Sequence, residues 1–225
     1  MLPRWLKNVI LCVHGFEADE YKKKHKNIMV LPDDTKGNMA KVRNYILDNC
    51  DSEVCVMLDD DVKSVGCYEN GVRIELSEGD LFYKTLEWYY QAIELNTVLF
   101  GINLQLDPKF YREFNPVCFL SPILGTFSCI IKKDNDIRYD ERLGLNEDYD
   151  YFLQVIEKYH KVLRWNKYHY VADHISKKGG CGAYRVLDEE KRQAATMVEK
   201  WGNKVVRYNF NKSTNPKINV PLKGV

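Results

Sequence analysis

The run Val54-Cys55-Val56-Met57-Leu58-Asp59-Asp60-Asp61 decides how the rest of the chain is read. Five apolar residues followed at once by three carboxylates describe a buried strand whose last residues reach the rim of a sheet. In open α/β folds that rim, at the carboxyl ends of the strands, is where ligands bind. Adjacent acids repel unless something positive neutralises them, and a hard divalent cation that also holds phosphates meets that need with oxygen ligands. The competing reading is a solvated acidic turn, since Asp is common in turns.

Upstream, the pattern alternates between strand and helix. Val9 to Val13 is a short buried strand, followed by a polar, helical stretch through Lys26. Ile28 to Leu31 is a second strand, closed by Pro32-Asp33-Asp34. Met39 to Leu47 places Met39, Val42, Ile46 and Leu47 on one helical face. This β-α-β-α-β order predicts a parallel sheet flanked by helices. Downstream, Asn70-Gly71 between alternating segments predicts a small hairpin. Ser77 to Asp80 opens a helix running to about Asn96. Its aromatics Phe82, Tyr83, Trp88, Tyr89 and Tyr90 are expected to pack in the core. Strands follow at Val98 to Leu104 and Thr126 to Ile131, separated by an irregular stretch from Gln105 to Phe119. A helix begins near Asn146, a last strand covers Tyr168 to Ala172, and a helix runs from about Asp188 to Trp201. The residues from Asn209 on, rich in Asn, Lys and Pro, read as a loosely held tail.

Composition bounds the class. A chain of 225 residues with 45% hydrophobic content and a net charge of +1 is globular and not disordered. The expected organisation is a single domain over 1–225. Within it, about 1–62 forms a nucleotide-binding half, about 63–208 an acceptor and catalytic half, and about 209–225 the tail. No apolar run approaches the ~20 residues needed to cross a bilayer, and no signal-peptide core is expected at the start. The seven cysteines include no Cys-x-x-Cys pair, so they read as reduced thiols of a cytosolic protein.

Four groups carry candidate chemistry. Asp59, Asp60 and Asp61 would bind a metal and the ribose or phosphate of a nucleotide. Glu147 and Asp148 begin a helix after Asn146. They are either ordinary first-turn acids favoured by the helix dipole, with Asn146 as N-cap, or a rigidly held general base. His174 follows the last strand, and neutral imidazole suits Mn²⁺. Arg43 and Asn44 lie on the helix after Gly37-Asn38 and could face a base or a diphosphate, although alone such an arginine reads as solvated. A strand-end acid cluster with Mg²⁺ or Mn²⁺ suits a nucleotide-diphosphate leaving group, with a carboxylate across the site to deprotonate a hydroxyl.

This ordered set resembles the GT-A glycosyltransferase pattern. More narrowly it is similar to the TET-associated glycosyltransferases, found largely in bacteriophages. The resemblance rests on Met57 to Val62, on Gly144-Leu145-Asn146-Glu147-Asp148-Tyr149-Asp150, and on His174 through Lys178-Gly179-Gly180-Cys181. It implies a single Rossmann-like GT-A domain with a mostly parallel central sheet. The implied donor is a UDP-sugar with Mn²⁺ or Mg²⁺, and the implied acceptor is 5-hydroxymethylcytosine in DNA, inside an infected host cell. By the same resemblance Asp148 is the base of an inverting displacement, with Glu147 beside donor or acceptor. Arg43, Asn44, Asp59, Asp60 and Lys178 contact the donor, and Asp61, Asp59 and His174 hold the metal. The acceptor could instead be a protein Ser/Thr or a saccharide, or the domain could only bind a partner. A haloacid-dehalogenase-like phosphatase is disfavoured by Lys63 after the acids, and a sugar nucleotidyltransferase by the poor phosphate loop Val13-His14-Gly15-Phe16-Glu17. Net charge neither supports nor excludes DNA. The basic clusters at Lys22 to Lys26, Lys177-Lys178 and Lys204 to Lys217 read as solvated faces.

Overall fold

A computed structural model describes residues 6–104, 107, 111, 114–172 and 186–220. The opening alternation is present as read. Strand β1 (Leu11–His14) and helix α1 (Gly15–Lys22) lead into strand β2 (Ile28–Leu31), and the two strands pair in parallel. Leu11, Val13 and Ala18 form a small core of their own beneath this unit. Helix α2 (Met39–Asp48) then leads to β3 (Val54–Leu58). Asn38 starts α2 by accepting from Lys41 N at 3.2 Å, as an N-cap should.

The central sheet is mixed, which corrects the mostly parallel sheet expected from the alternation. Its strands run β3, β8 (Phe127–Ile131), β6 (Leu99–Asn103), β9 (Leu163–Ala172), β4 (Val62–Glu69) and β5 (Val72–Glu75), with β7 (Val117–Cys118) paired to β9. Only β6 and β9 are parallel here; the other neighbours are antiparallel. The alternation dictates a parallel pair only where a helix returns the chain to the adjacent position, as between β1 and β2. β3 finds its neighbour far along the chain instead, with Val54 to Leu58 opposite Ile131 to Phe127. No local pattern encodes such a partner.

The Asn-Gly turn forms with both central residues left-handed, Asn70 at φ 50° and Gly71 at φ 78°. That is the turn whose twist matches a two-residue hairpin. It is no appendage, because β4 is an interior strand paired along β9. Helix α3 (Glu78–Glu94) starts at Ser77 with a full capping box to Asp80. Its aromatics divide: Trp88 is buried and packs on Trp165 and Tyr168, whereas Phe82, Tyr83 and Tyr90 are exposed. The core expectation fails for those three because they lie on the helix's outer side, which periodicity alone does not orient.

Helices α4 (Glu147–Tyr159) and α5 (Leu187–Trp201) complete the main body. The expected tail is instead largely a hairpin, β10 (Val206–Asn209) against β11 (Ser213–Ile218). Buried Val206 and Pro216 hold it to the body, so its polar composition conceals an alternating inner face. Six cysteines among the described residues are free, and Cys55, Cys67 and Cys129 are buried. No helix among the described residues is long and apolar enough to cross a membrane.

Candidate functional site

The three acids form a tight turn. Only Asp59, Asp60 and Asp61 separate β3 from β4, and the turn closes with Val62 N donating to Asp59 O at 3.3 Å. Asp59 N donates in turn to Thr126 O at 3.1 Å, which fixes the acids against the residues that enter β8. Asp60 is exposed, while Asp59 and Asp61 are half-buried.

Arg43 joins this turn to the second acidic motif. Its helix faces the sheet, and its side chain is almost wholly buried. Nη2 donates to Asp59 Oδ1 at 3.1 Å, Nε to Glu147 Oε1 at 3.1 Å, and Nη1 to Gly125 O at 3.2 Å. The solvated reading of this arginine is therefore corrected. A planar guanidinium with donors in a fixed fork can serve three acceptors at once, which an ammonium on a flexible stem cannot. Burial works against its charge, but Asp59 and Glu147 outweigh that and raise its pKa. Asn44, one position on, pairs with the Tyr139 backbone: Nδ2 donates to Tyr139 O and Oδ1 accepts from Tyr139 N, both at 2.9 Å. It ties α2 to the loop before α4.

Gly125 is the other hub. Its N–H donates to Asp148 Oδ2 at 3.1 Å while its carbonyl takes Arg43 Nη1. A Cβ at this position would lie 2.2 Å from Arg43 Nη2, so only glycine lets the backbone approach so closely. Sequence reasoning missed it, because a glycine before a strand carries no local sign of an arginine packed on it.

Glu147 and Asp148 occupy the first turn of α4. Asn146 precedes them but does not cap with its side chain, which accepts instead from Tyr208 Oη at 3.3 Å. Burial pushes Glu147 up to about 8; the neighbouring Asp148 adds to the rise and Arg43 opposes it. Asp148 also lies above the usual Asp range, again mainly through burial, with the Gly125 N–H pulling the other way. It nevertheless keeps a solvent-accessible edge. Each of its oxygens accepts one backbone hydrogen bond, from Gly125 N and Tyr149 N, and has lone-pair capacity for a second donor.

Two tyrosines that the sequence reading did not assign to the site complete the surroundings. Buried Tyr170 on β9 hydrogen-bonds Thr126, and burial first, then the charges of Asp148, Asp59 and Asp61, raise its pKa. Tyr208 on β10 reaches Asn146 from the other side. Asp150, part of the same acidic motif, is structural. It is fully buried and accepts from Gln154 Nε2 at 2.7 Å, Trp201 Nε1 at 2.8 Å and Lys200 Nζ at 2.9 Å. With Gln193 Oε1 accepting from Leu145 N at 2.8 Å, these bonds make α5 a brace for the start of α4.

The carboxylate oxygens of Asp59 and Asp61 are the donor type that Mg²⁺ or Mn²⁺ takes. Among the described residues, no group of three or more His, Cys, Asp or Glu side chains is gathered closely enough to hold a metal. His174 and Lys178, with the glycine-rich loop, lie outside the described residues.

The family model of the TET-associated glycosyltransferases matches residues 4–181. The chain belongs to that family and is a glycosyltransferase. Among solved structures, the crystal structure of A197 from STIV is similar at 13% identity and a TM-score of 0.39, over 76% of this chain and 97% of that one. No curated protein matches the sequence.

Proposed function

We propose that this TET-associated glycosyltransferase moves a sugar from a UDP-sugar to the hydroxymethyl group of 5-hydroxymethylcytosine in DNA, with inversion and with a divalent cation. The observation that carries the reading is Arg43, which ties the strand-end acids to the Glu147-Asp148 motif through 3.1 Å contacts. In this reading the two acidic groups that Arg43 joins serve one site, with donor chemistry at the first and acceptor chemistry at the second.

In this reading Asp148 takes the proton of the acceptor hydroxyl as its oxygen bonds to the anomeric carbon. The bond from that carbon to the UDP oxygen breaks on the opposite face, and the electron pair leaves with UDP. A raised pKa brings Asp148 nearer to operating pH, where a base is most effective, and the Gly125 N–H holds it in place. Arg43 holds Glu147 and Asp59 in position, while Asp59, Asp60 and Lys178 contact the donor. A cation held by Asp59, Asp61 and His174 would neutralise charge developing on the diphosphate. The GT-A relationship, UDP as carrier and DNA as acceptor belong to this proposal.

The test is a reaction of the protein with Mn²⁺, pooled UDP-sugars and 5-hydroxymethylcytosine DNA, read by UDP release and by mass spectrometry of the digested nucleosides. A sugar-shifted nucleoside supports the reading. UDP release that depends on a peptide or saccharide acceptor but never on the DNA overturns the acceptor.

A further inference from the structure

The C-terminal hairpin lies beyond the residues matched to the family, and its charge does not follow from the fold. Residues 202–220 contain Lys204, Arg207, Lys212 and Lys217 and no Asp or Glu, within a chain whose net charge is only +1. All four side chains are exposed. Arg207 and Lys217 stand directly opposite each other in the register of β10 and β11. Like charges facing across a strand pair destabilise it, so the hairpin holds a repulsion that a bound polyanion would relieve. The Arg207 Nε donates to Asn203 O at 3.0 Å, which holds the guanidinium along the strand.

The inner face of the same hairpin carries Tyr208, whose hydroxyl donates to Asn146 immediately before Glu147 and Asp148. Tyr208 also stacks on Phe210, with centroids 5.6 Å apart and planes within 10°. Exposed Lys and Arg side chains with no acid among them are what proteins use to neutralise the phosphates of a nucleic-acid backbone. An acidic catalytic centre repels phosphates, so an acceptor made of DNA needs positive charge close by to hold it there.

We propose that the β10–β11 hairpin clamps the acceptor DNA, with Lys204, Arg207, Lys212 and Lys217 neutralising its phosphodiesters and Tyr208 anchoring the hairpin beside Asp148. This deepens the proposed function and rests on its DNA acceptor. The test uses the full chain and a fluorescent 5-hydroxymethylcytosine duplex, with anisotropy measured over a series of salt concentrations. Replacing all four, as Lys204→Ala, Arg207→Ala, Lys212→Ala and Lys217→Ala, should weaken binding at least about tenfold. It should also make the slope of log affinity against log salt shallower by up to about 3.6, at ~0.9 per phosphate contact. Exchanging Arg207→Lys together with Lys217→Arg preserves charge and should keep the wild-type slope, which separates a loss of contacts from a loss of fold.

Wild-type slope and affinity in the quadruple variant, while wild-type protein glucosylates or otherwise glycosylates the duplex, would overturn the clamp and leave the DNA acceptor standing. Wild-type protein that transfers sugar elsewhere and neither binds nor modifies the duplex would overturn the acceptor and the clamp together. A quadruple variant that loses labelled polyglutamate but not DNA would assign the hairpin to an acidic protein instead.

Discussion

The guanidinium of Arg43 lies 3.1 Å from Asp59 Oδ1 and 3.1 Å from Glu147 Oε1, so one buried side chain from α2 holds together two acidic motifs that are 88 positions apart (147 − 59). Asp59 follows β3 directly and Glu147 opens the helix that carries Asp148. The arginine thereby sets the spacing between the proposed donor and acceptor ends of the site.

Removing this arginine leaves Glu147 buried without its cationic partner. Breaking a buried pair by deleting one member costs about 3–5 kcal/mol. Arg43→Ala should therefore lower unfolding stability in a denaturant titration by about that amount. Arg43→Lys should recover only part of it, because an ammonium cannot span Asp59, Glu147 and the Gly125 carbonyl together. A stability loss under about 1 kcal/mol for Arg43→Ala would show that the buried pair is not formed.

Gly125→Ala tests the same junction from the other side. The new Cβ meets Arg43 Nη2 at 2.2 Å and Cζ at 2.6 Å, so the guanidinium has to move. Overpacking of this kind costs about 1–3 kcal/mol. Since both changes act on one contact, Gly125→Ala combined with Arg43→Ala should destabilise by less than the sum of the two singles. Additive losses would mean the glycine serves something other than the arginine.

Asp148→Asn and Asp61→Ala should both abolish transfer, but for different reasons. Asparagine can keep the hydrogen bond from Gly125 N but cannot take a proton, so turnover should fall by about 100-fold to 10,000-fold. Isothermal titration should still show Mn²⁺-dependent binding of the UDP-sugar to Asp148→Asn and should lose it in Asp61→Ala. Near-normal turnover in Asp148→Asn would remove this residue from the base role.

The raised pKa of Glu147 fixes a direction for pH. Its folded value is pushed up to about 8 from an ordinary 4.5, with Asp148 and Arg43 the charged groups beside it. Between those values the native state holds more protons than the unfolded state, so this group lowers stability as pH rises. In Glu147→Gln that contribution is absent. Without added metal, the melting temperature of the wild type relative to Glu147→Gln should fall steadily from pH 5 to pH 8. A constant difference would show that Glu147 titrates normally in the folded protein.

Much of the local structure was legible in the chain. The apolar runs at Ile28 to Leu31 and Val54 to Leu58 are strands with those bounds, Asn70-Gly71 makes the predicted turn, and Ser77 with Asp80 caps α3. These signals lie within a few residues of one another and depend on steric and hydrogen-bond rules that need no tertiary partner. The exposed Phe82, Tyr83 and Tyr90 and the hairpin in place of a tail mark the limit of that reasoning. Which side of a helix meets the core, and whether a polar strand finds a partner, depend on elements elsewhere in the chain.

Local chain chemistry places the residues that carry the chemistry: acids at the end of β3, acids at the start of α4, and an arginine on α2. Packing across the chain brings these groups together through Arg43 and ties Asn44 and Asp150 into the surrounding frame. It also decided that Gly125 bridges Arg43 and Asp148, that Tyr208 reaches Asn146, and that the sheet is mixed. The reason is physical. Propensity, capping and turn chemistry act over a few residues, whereas strand order and the burial of a guanidinium against two distant carboxylates are settled only when the whole core packs.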